Sequence, residues 1–334
     1  MQQIDPIRLC RCVAAAPMAQ SDAMAVAGVV ATPTIGAFTA KLMQNTFNSR
    51  RFAARLGASL LPAVKAFGLV GVLLLSQLAP AMAAANNRLE EMTWTEVRDR
   101  VASGSTTILI PIGGTEQNGL HMVLGKHNVR VRVLADEIAK HLGNALVAPV
   151  MAYVPEGSIS PPVAHMRYAG TVSISDAAFE SMLESTARSF KQHGFRDVVF
   201  LGDHGSYQKN EEKVAQRLNR EWAKDPSCRV HALLDYYRVT QTTYVAALRA
   251  KGFSEGEIGL HAGLADTSLA LAVDPALVRK DAMTNASSAD KALGVSGDPR
   301  KATAELGQIG VQQIIQTSVA AIVGFTRSKR DSGK

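Results

Sequence analysis

Three short polar strings concentrate the residues that do chemistry. The first is Gly113-Gly114-Thr115-Glu116-Gln117-Asn118-Gly119-Leu120-His121, continued by Leu124-Gly125-Lys126-His127. The second is Gly202-Asp203-His204-Gly205-Ser206, and the third is His261-Ala262-Gly263-Leu264-Ala265-Asp266-Thr267-Ser268. Together they hold four histidines, one glutamate and two aspartates on turns rich in glycine. Imidazole and carboxylate are the usual ligands of catalytic zinc, manganese or iron. Such an ion keeps a position open and lowers the pKa of a bound water to about 7. A histidine left outside the ligand set shuttles protons near neutral pH. Metal-activated hydrolysis is therefore the class these residues point to. The marks of other classes are missing: there is no Walker-type phosphate loop, no G-x-G-x-x-G after a strand and no G-x-S-x-G elbow.

The elements that must carry these strings are readable from periodicity. Residues 106–112 (TTILIPI) form an apolar, β-branched run closed by Gly113-Gly114, the pattern of a buried strand. Residues 127–143 show helical spacing of Val131, Leu134, Ile138 and Leu142 and stop at Gly143. Strands are predicted at 145–151, 196–202 and 228–237. Helices are predicted at 175–194, with Ser175 as N-cap, and at 207–223. Residues 261–273 read as a loop entering a helix, and a long amphipathic helix covers about 300–322. Strands apolar on both faces, alternating with helices, imply an α/β fold, a three-layer α/β/α sandwich with a mainly parallel sheet. In such sheets the ligand crevice lies beyond the carboxyl ends of the strands, which is where the first two strings fall.

The 334 residues are 47% hydrophobic and 19% charged, ample for a sizeable core. Five of the seven net positive charges fall in residues 1–85. The remainder is nearly neutral and has no basic run interleaved with aromatics, so nucleic-acid binding is not expected. Residues 66–79 (AFGLVGVLLLSQLA) follow a basic stretch with Arg50, Arg51, Arg55 and Lys65, and precede Ala81-Met82-Ala83. These are the three parts of a secretory signal, with cleavage expected near Ala83, and the apolar run is short for a membrane span. An uncleaved anchor is the alternative. Met43 is the expected true start. Ser49-Arg50-Arg51-Phe52 resembles a twin-arginine export signal with Phe52 one place early, and general secretion fits equally well. Cleavage would leave Cys228 alone, without Cys10 and Cys12 and so without an intramolecular disulfide. The organisation expected is a leader at 1–85, one hydrolase domain at 86–325 and a polar tail at 326–334.

At this point the strings themselves resemble a known family. Pro111 through Leu124 is similar to the creatininase signature, approximately P-x-G-S-x-E-Q-H-G-P-H-L-P-L-x-T-D. His204-Gly205 resembles its N-G-H-G-x-N motif, and His261 through Ser268 its H-A-G-x-x-E-T-S motif. Ala169-Gly170-Thr171-Val172-Ser173 is similar to F-P-G-T-I-S, and Gly294 through Pro299 to the late G-x-x-G-D-P element. Five motifs in order over about 106–320 identify a creatininase-like chain. That family includes creatinine amidohydrolases, a deformylase of a pyrimidine precursor and a peptidase of redox-peptide maturation. The resemblance implies C–N bond hydrolysis of a small-molecule substrate, a centre of one or two metal ions and a homo-oligomer.

Carried over residue by residue, the resemblance makes Glu116 and His204 ligands and leaves three departures. Asn118 stands where the family has a ligand histidine, His127 where it has a metal-bridging aspartate, and Ser206 where creatininase has a second carboxylate. A neutral imidazole offers one lone pair and cannot bridge as a carboxylate does. The expectation is one divalent ion (Zn, Mn or Fe) on Glu116, His127 and His204, with a substrate other than creatinine. His261 is the expected proton carrier. Asp266, one methylene shorter than the family glutamate, either steers His261 or adds a ligand.

Blander readings stand beside these. Glu116 would cap a helix, His127 would be a surface histidine at a helix start, and His261 would be structural. Asp203 reads as a turn hydrogen-bonder and His121 as supporting packing, while Asn118 reads as either a ligand or a substrate contact. His165, Arg167 and Tyr168 lie on a Pro/Gly-rich loop, either touching substrate or solvated. His141, His193 and His231 read as ordinary, and Trp94 and Trp222 as packing residues. Two rival functions remain: a non-catalytic periplasmic binding or scaffold protein, and a metal-dependent lactonase.

Overall fold

The computed structural model describes residues 86–286 and 293–331, and the side chains up to residue 326. The expected leader, signal sequence and cleavage point fall outside the described residues.

Helix α1 (Trp94–Ala102) leads into strand β1 (Thr107–Ile112), then α2 (Lys126–Leu142) and β2 (Ala145–Val147). Next come α3 (Asp176–Gln192), β3 (Asp197–Gly202), α4 (Gln208–Glu221) and β4 (Arg229–Ala232). Six α-helices complete the described residues: α5 (Leu234–Gln241), α6 (Thr243–Ala250), α7 (Glu255–Ile258), α8 (Leu264–Val273), α9 (Lys280–Asn285) and α10 (Ala304–Asp331). The strands form one parallel sheet in the order β2-β1-β3-β4. Thr107 is in register with Ala145 on one side and Asp197 on the other.

Each central strand feeds two cores because its side chains alternate across the sheet. Leu109, Val199 and Leu201 join a core with Leu134 and Ile138 of α2 and Leu269 of α8. Ile108, Ile110, Val198 and Phe200 join the other, with Phe179 and Leu183 of α3 and Val214 and Leu218 of α4. This is the three-layer α/β/α arrangement, and it explains why these strands are hydrophobic on both faces.

Local signals set several boundaries as expected. Gly143 ends α2 in the left-handed conformation, φ 73°. The Ser175 hydroxyl accepts from the Ala178 amide and caps α3. Three expectations need correction. The β2 ladder stops at Val147, and residues 148–151 continue only as far as an isolated bridge between Ile112 and Met151. The strand expected to run to residue 237 ends at Ala232, and Leu234 begins α5. That segment is apolar at Leu234, Tyr236 and Val239, a pattern too short to separate strand from helix. Trp94 is not a packing residue: it is 75% exposed, with the Arg98 guanidinium over its ring.

The last helix is longer than expected, reaching Asp331. Its Ala304–Thr326 stretch is long and apolar enough to cross a membrane by composition. In the fold that stretch buries Val311, Ile314 and Ile322 against the core.

Candidate metal centre

The site stands where the ends of β1 and β3 meet the start of α2. Tyr207 joins the two strand ends. Its hydroxyl donates toward the carbonyls of Ile112 (2.9 Å) and Gly113 (2.6 Å) and accepts from the His204 amide at 3.1 Å. Asn118 braces the first turn through its Nδ2, while its Oδ1 is buried with no hydrogen-bond partner. Its Nδ2 donates to the carbonyls of Glu116 (2.9 Å) and Val123 (3.0 Å).

Glu116 is wholly buried at the centre. Its Oε1 lies 2.9 Å from His127 Nε2 and 3.6 Å from His261 Nδ1. Its Oε2 lies 3.4 Å from His165 Nε2 and 3.6 Å from His204 Nε2. The donor atoms of Glu116, His127 and His204 lie within 4.8 Å of one another, and so do those of Glu116, His165 and His261. Glu116 Oε2 is buried with no hydrogen-bond partner, the state of a carboxylate oxygen built to receive a ligand. Together with converging imidazole nitrogens, that orphaned oxygen fits a divalent ion held by Glu116, His127 and His204.

The supporting groups fix how these side chains point. Asp203 takes His127 Nδ1–H at 2.6 Å, which leaves Nε2 to face Glu116. Asp203 also accepts from Arg130 Nε (2.9 Å) and the Tyr236 hydroxyl (2.9 Å). The expected turn role for Asp203 is thus replaced by a buried ion pair beneath a ligand. Asp266 accepts from Lys126 Nζ, from Arg130 at 2.8 Å and from the Ala262 amide at 3.0 Å. Its hydrogen bonds go to these groups and not to His261, whose Nε2 lies 2.9 Å from the Gln117 carbonyl. Asp266 therefore acts on His261 through charge and through the backbone of Ala262, a residue strained at φ 53°.

Burial pushes the Glu116 carboxyl up, but His127, Lys126 and His204 outweigh it and hold the group well below the usual carboxylate range. Burial, offset in part by Glu116, lowers His204 to about 3. Burial and Lys126 lower His261 to about 4, so both rings are neutral near pH 7. His121 is lowered to about 4 by burial and donates to or accepts from Thr267 at 2.9 Å, a supporting role.

Sequence reasoning missed three participants, Glu156, Lys126 and Arg130, and left a fourth, His165, between touching substrate and a solvated loop. His165 enters the cluster from the Pro/Gly-rich loop before α3, with its Nε2 3.4 Å from Glu116 Oε2. Glu156 lies with its Oε2 3.6 Å from His204 Nδ1, and neither of its oxygens has a hydrogen-bond partner. Burial and then Glu116 raise it to about 8. A Cβ at Gly114 would sit 2.4 Å from Glu156 Oε1, so that glycine (φ 152°) makes room for the acid. Lys126 and Arg130 are buried, one turn apart on α2 around His127, a pattern that reads as solvated charge in sequence.

Gln117 explains why the later strings belong with the first. Its amide N–H donates to Thr171 Oγ1 at 3.1 Å, and its side chain reaches Gly294 O, His165 and His261. With that convergence established, comparison with known proteins is decisive. The creatinine amidohydrolase family profile (Creatininase) matches residues 90–322. This chain belongs to the creatininase family. It is 28% identical over 196 residues to the creatinine amidohydrolase of Pseudomonas putida, covering 57% of this chain and 73% of that one. It is likewise 28% identical over 229 residues to a mycofactocin precursor peptide peptidase of Mycolicibacterium smegmatis, covering 60% and 78%. A solved manganese creatininase superposes with TM-score 0.60 at 25% identity, covering 71% of this chain and 98% of that one.

Proposed function

We propose that this creatininase-family chain is a metal-dependent hydrolase of an amide or cyclic amide C–N bond. The observation that carries the reading is the convergence of His127 Nε2 and His204 Nε2 on Glu116, whose buried Oε2 has no hydrogen-bond partner. One divalent ion, Zn, Mn or Fe, would be held by these three side chains, polarising a carbonyl and making water acidic enough to attack it.

The chain's own residues support a single ion. His127 stands where a bridging carboxylate would be needed for a second ion, and its Nδ1 is already committed to Asp203 at 2.6 Å, leaving one ring nitrogen for a metal. The bound amide would enter the pocket lined by Tyr237, Gln241 and Leu260 beside His204 and His261. His261 Nδ1 faces the cluster with its lone pair and takes the proton of the attacking water. It then passes that proton to the leaving nitrogen. The different ligand set supports a substrate other than creatinine.

The test is metal analysis of purified protein alongside hydrolysis of a panel of lactams, cyclic ureides and N-acyl compounds. Stoichiometric metal, lost together with activity in His204→Ala, is expected. A His204→Ala protein with full metal content would sink the ligand assignment, and a folded protein with neither metal nor activity would leave the scaffold reading. The leader supports export to the periplasm or beyond, so N-terminal sequencing of the mature protein is expected to start near Ala84. Exposed Tyr153, Ile159 and Leu260 support self-association, readable by light scattering.

A further inference from the structure

His165 lies on a 3-10 turn, Ala164–Arg167, entered through Ala164 at φ 49°. Its ring centroid is 4.4 Å from that of His261, and its Nε2 is 3.4 Å from Glu116 Oε2. By distance alone it completes a second trio of ligands. The position of its proton argues otherwise, and Gln117 fixes that position.

The Gln117 side-chain amide has only one workable orientation. Its Oε1 accepts from the Gly119 amide at 2.9 Å, and its Nε2 donates to the Gly294 carbonyl at 2.9 Å. Neither contact survives a flip, because an amide N–H only donates and a carbonyl oxygen only accepts. The second Nε2 hydrogen has two ring nitrogens within reach, His165 Nδ1 at 2.9 Å and His261 Nε2 at 3.2 Å; the latter donates to the Gln117 carbonyl, so His165 Nδ1 accepts. With Nδ1 accepting, the ring proton of His165 sits on Nε2, the nitrogen aimed at the centre. His261 is set the opposite way. Its Nε2 donates to the Gln117 carbonyl at 2.9 Å, leaving Nδ1 unprotonated toward Glu116 Oε1. One residue thus makes one histidine a donor and its neighbour an acceptor.

We infer that His165 is not a metal ligand but the hydrogen-bond donor for the oxyanion formed during hydrolysis, a role that rests on the amide-hydrolase reading above. As the water oxygen bonds to the carbonyl carbon, the C=O π pair moves onto oxygen and meets His165 Nε2–H. The water's proton goes to His261 Nδ1. When the tetrahedral centre collapses, the C–N bond breaks, the leaving nitrogen takes that proton, and the oxygen pair returns to carbon. His165 keeps its proton throughout. Preorganised donors of this kind act where charge develops.

The tautomer is read directly by long-range proton–nitrogen NMR on 15N-labelled, metal-free full chain. Expected are a protonated Nε2 and a bare Nδ1 at His165, unchanged by one equivalent of Zn(II), while the Nε2 signals of His127 and His204 move. Gln117→Glu, which replaces the donor by an acceptor, should move the His165 proton to Nδ1. Inorganic phosphate serves as a tetrahedral anion probe on the zinc-loaded protein. His165→Leu should weaken phosphate binding about tenfold at unchanged zinc content, and His165→Gln should restore most of it. Loss of the His165 Nε2 proton on zinc addition, or phosphate binding indifferent to His165→Leu, overturns the role alone. A chain that takes up no zinc overturns the hydrolase reading as well.

Discussion

The buried charges around Glu116 are arranged in series: Arg130 serves two acids, Asp203 serves a ligand, and Asp266 serves a lysine. Leaving a buried charge without its partner costs about 3–5 kcal/mol, more than the pair itself is worth. Support of a ligating imidazole by a carboxylate typically accounts for about 10–100-fold in metal affinity. Asp203→Asn should therefore lose affinity in that range by chelator competition, and stability by roughly 3 kcal/mol in urea. An unchanged zinc affinity would show that His127 is held by other contacts. At this scale the sequence was legible where a residue sits on a glycine-flanked turn, as Glu116, His204 and His261 do. It was not legible for Glu156, Lys126 and Arg130, and for His165 it left substrate contact and a solvated loop both open. Their significance comes from burial and from partners 40 to 140 positions away, and single-sequence spacing carries neither.

Helices and strands meet this site through close approaches. A Cβ on Gly307 would stand 1.8 Å from the Ser268 carbonyl oxygen, so the backbones of α8 and α10 touch where any side chain would separate them. Gly307→Ala should lower stability by about 1–3 kcal/mol or more, because the clash is with backbone rather than with a flexible side chain. Thermal melts of the two proteins check this. Gly324→Ala on the same helix, with open space around it, is the control expected to be neutral or stabilising. Element types were readable wherever the apolar period was long, as in α2, α3 and the two central strands. The boundary between β4 and α5 was not, since a run of leucine and tyrosine satisfies both periods and only the ladder's end at Ala232 decides between them.

Across the whole molecule, pH acts through a second buried acid. Glu211 is fully buried on α4 against Gly202, neither of its oxygens has a hydrogen-bond partner, and burial raises its pKa well above the ordinary value. Above about pH 4 the unfolded chain releases this proton while the folded chain keeps it. The folded state then binds more protons, so stability falls as pH rises toward the elevated pKa. Glu211→Gln cannot ionise and should be the more stable protein, by a margin that widens between pH 5 and pH 8 in urea titrations. A margin independent of pH would mean that Glu211 is ionised in the fold. The family was legible at this scale because five weak strings kept their order. The reason for that order appeared only when Gln117 was seen to bond Thr171, Gly294, His165 and His261 together.

That clamp has a temporal consequence. During synthesis Glu116, His127, His165, His204 and His261 all leave the ribosome before Gly294. Yet Gln117 needs the Gly294 carbonyl, and His261 is tied to Ser296 through both its backbone groups. Central strand β1 also waits for β3, which begins ninety residues after it. A nascent chain thus owns every donor atom long before it owns the geometry, and ion capture becomes one of the last acts of its maturation. For an exported chain, one threaded outward unfolded must acquire its ion on the far side, from whatever that compartment supplies. One carried across folded brings with it the ion chosen in the cytoplasm.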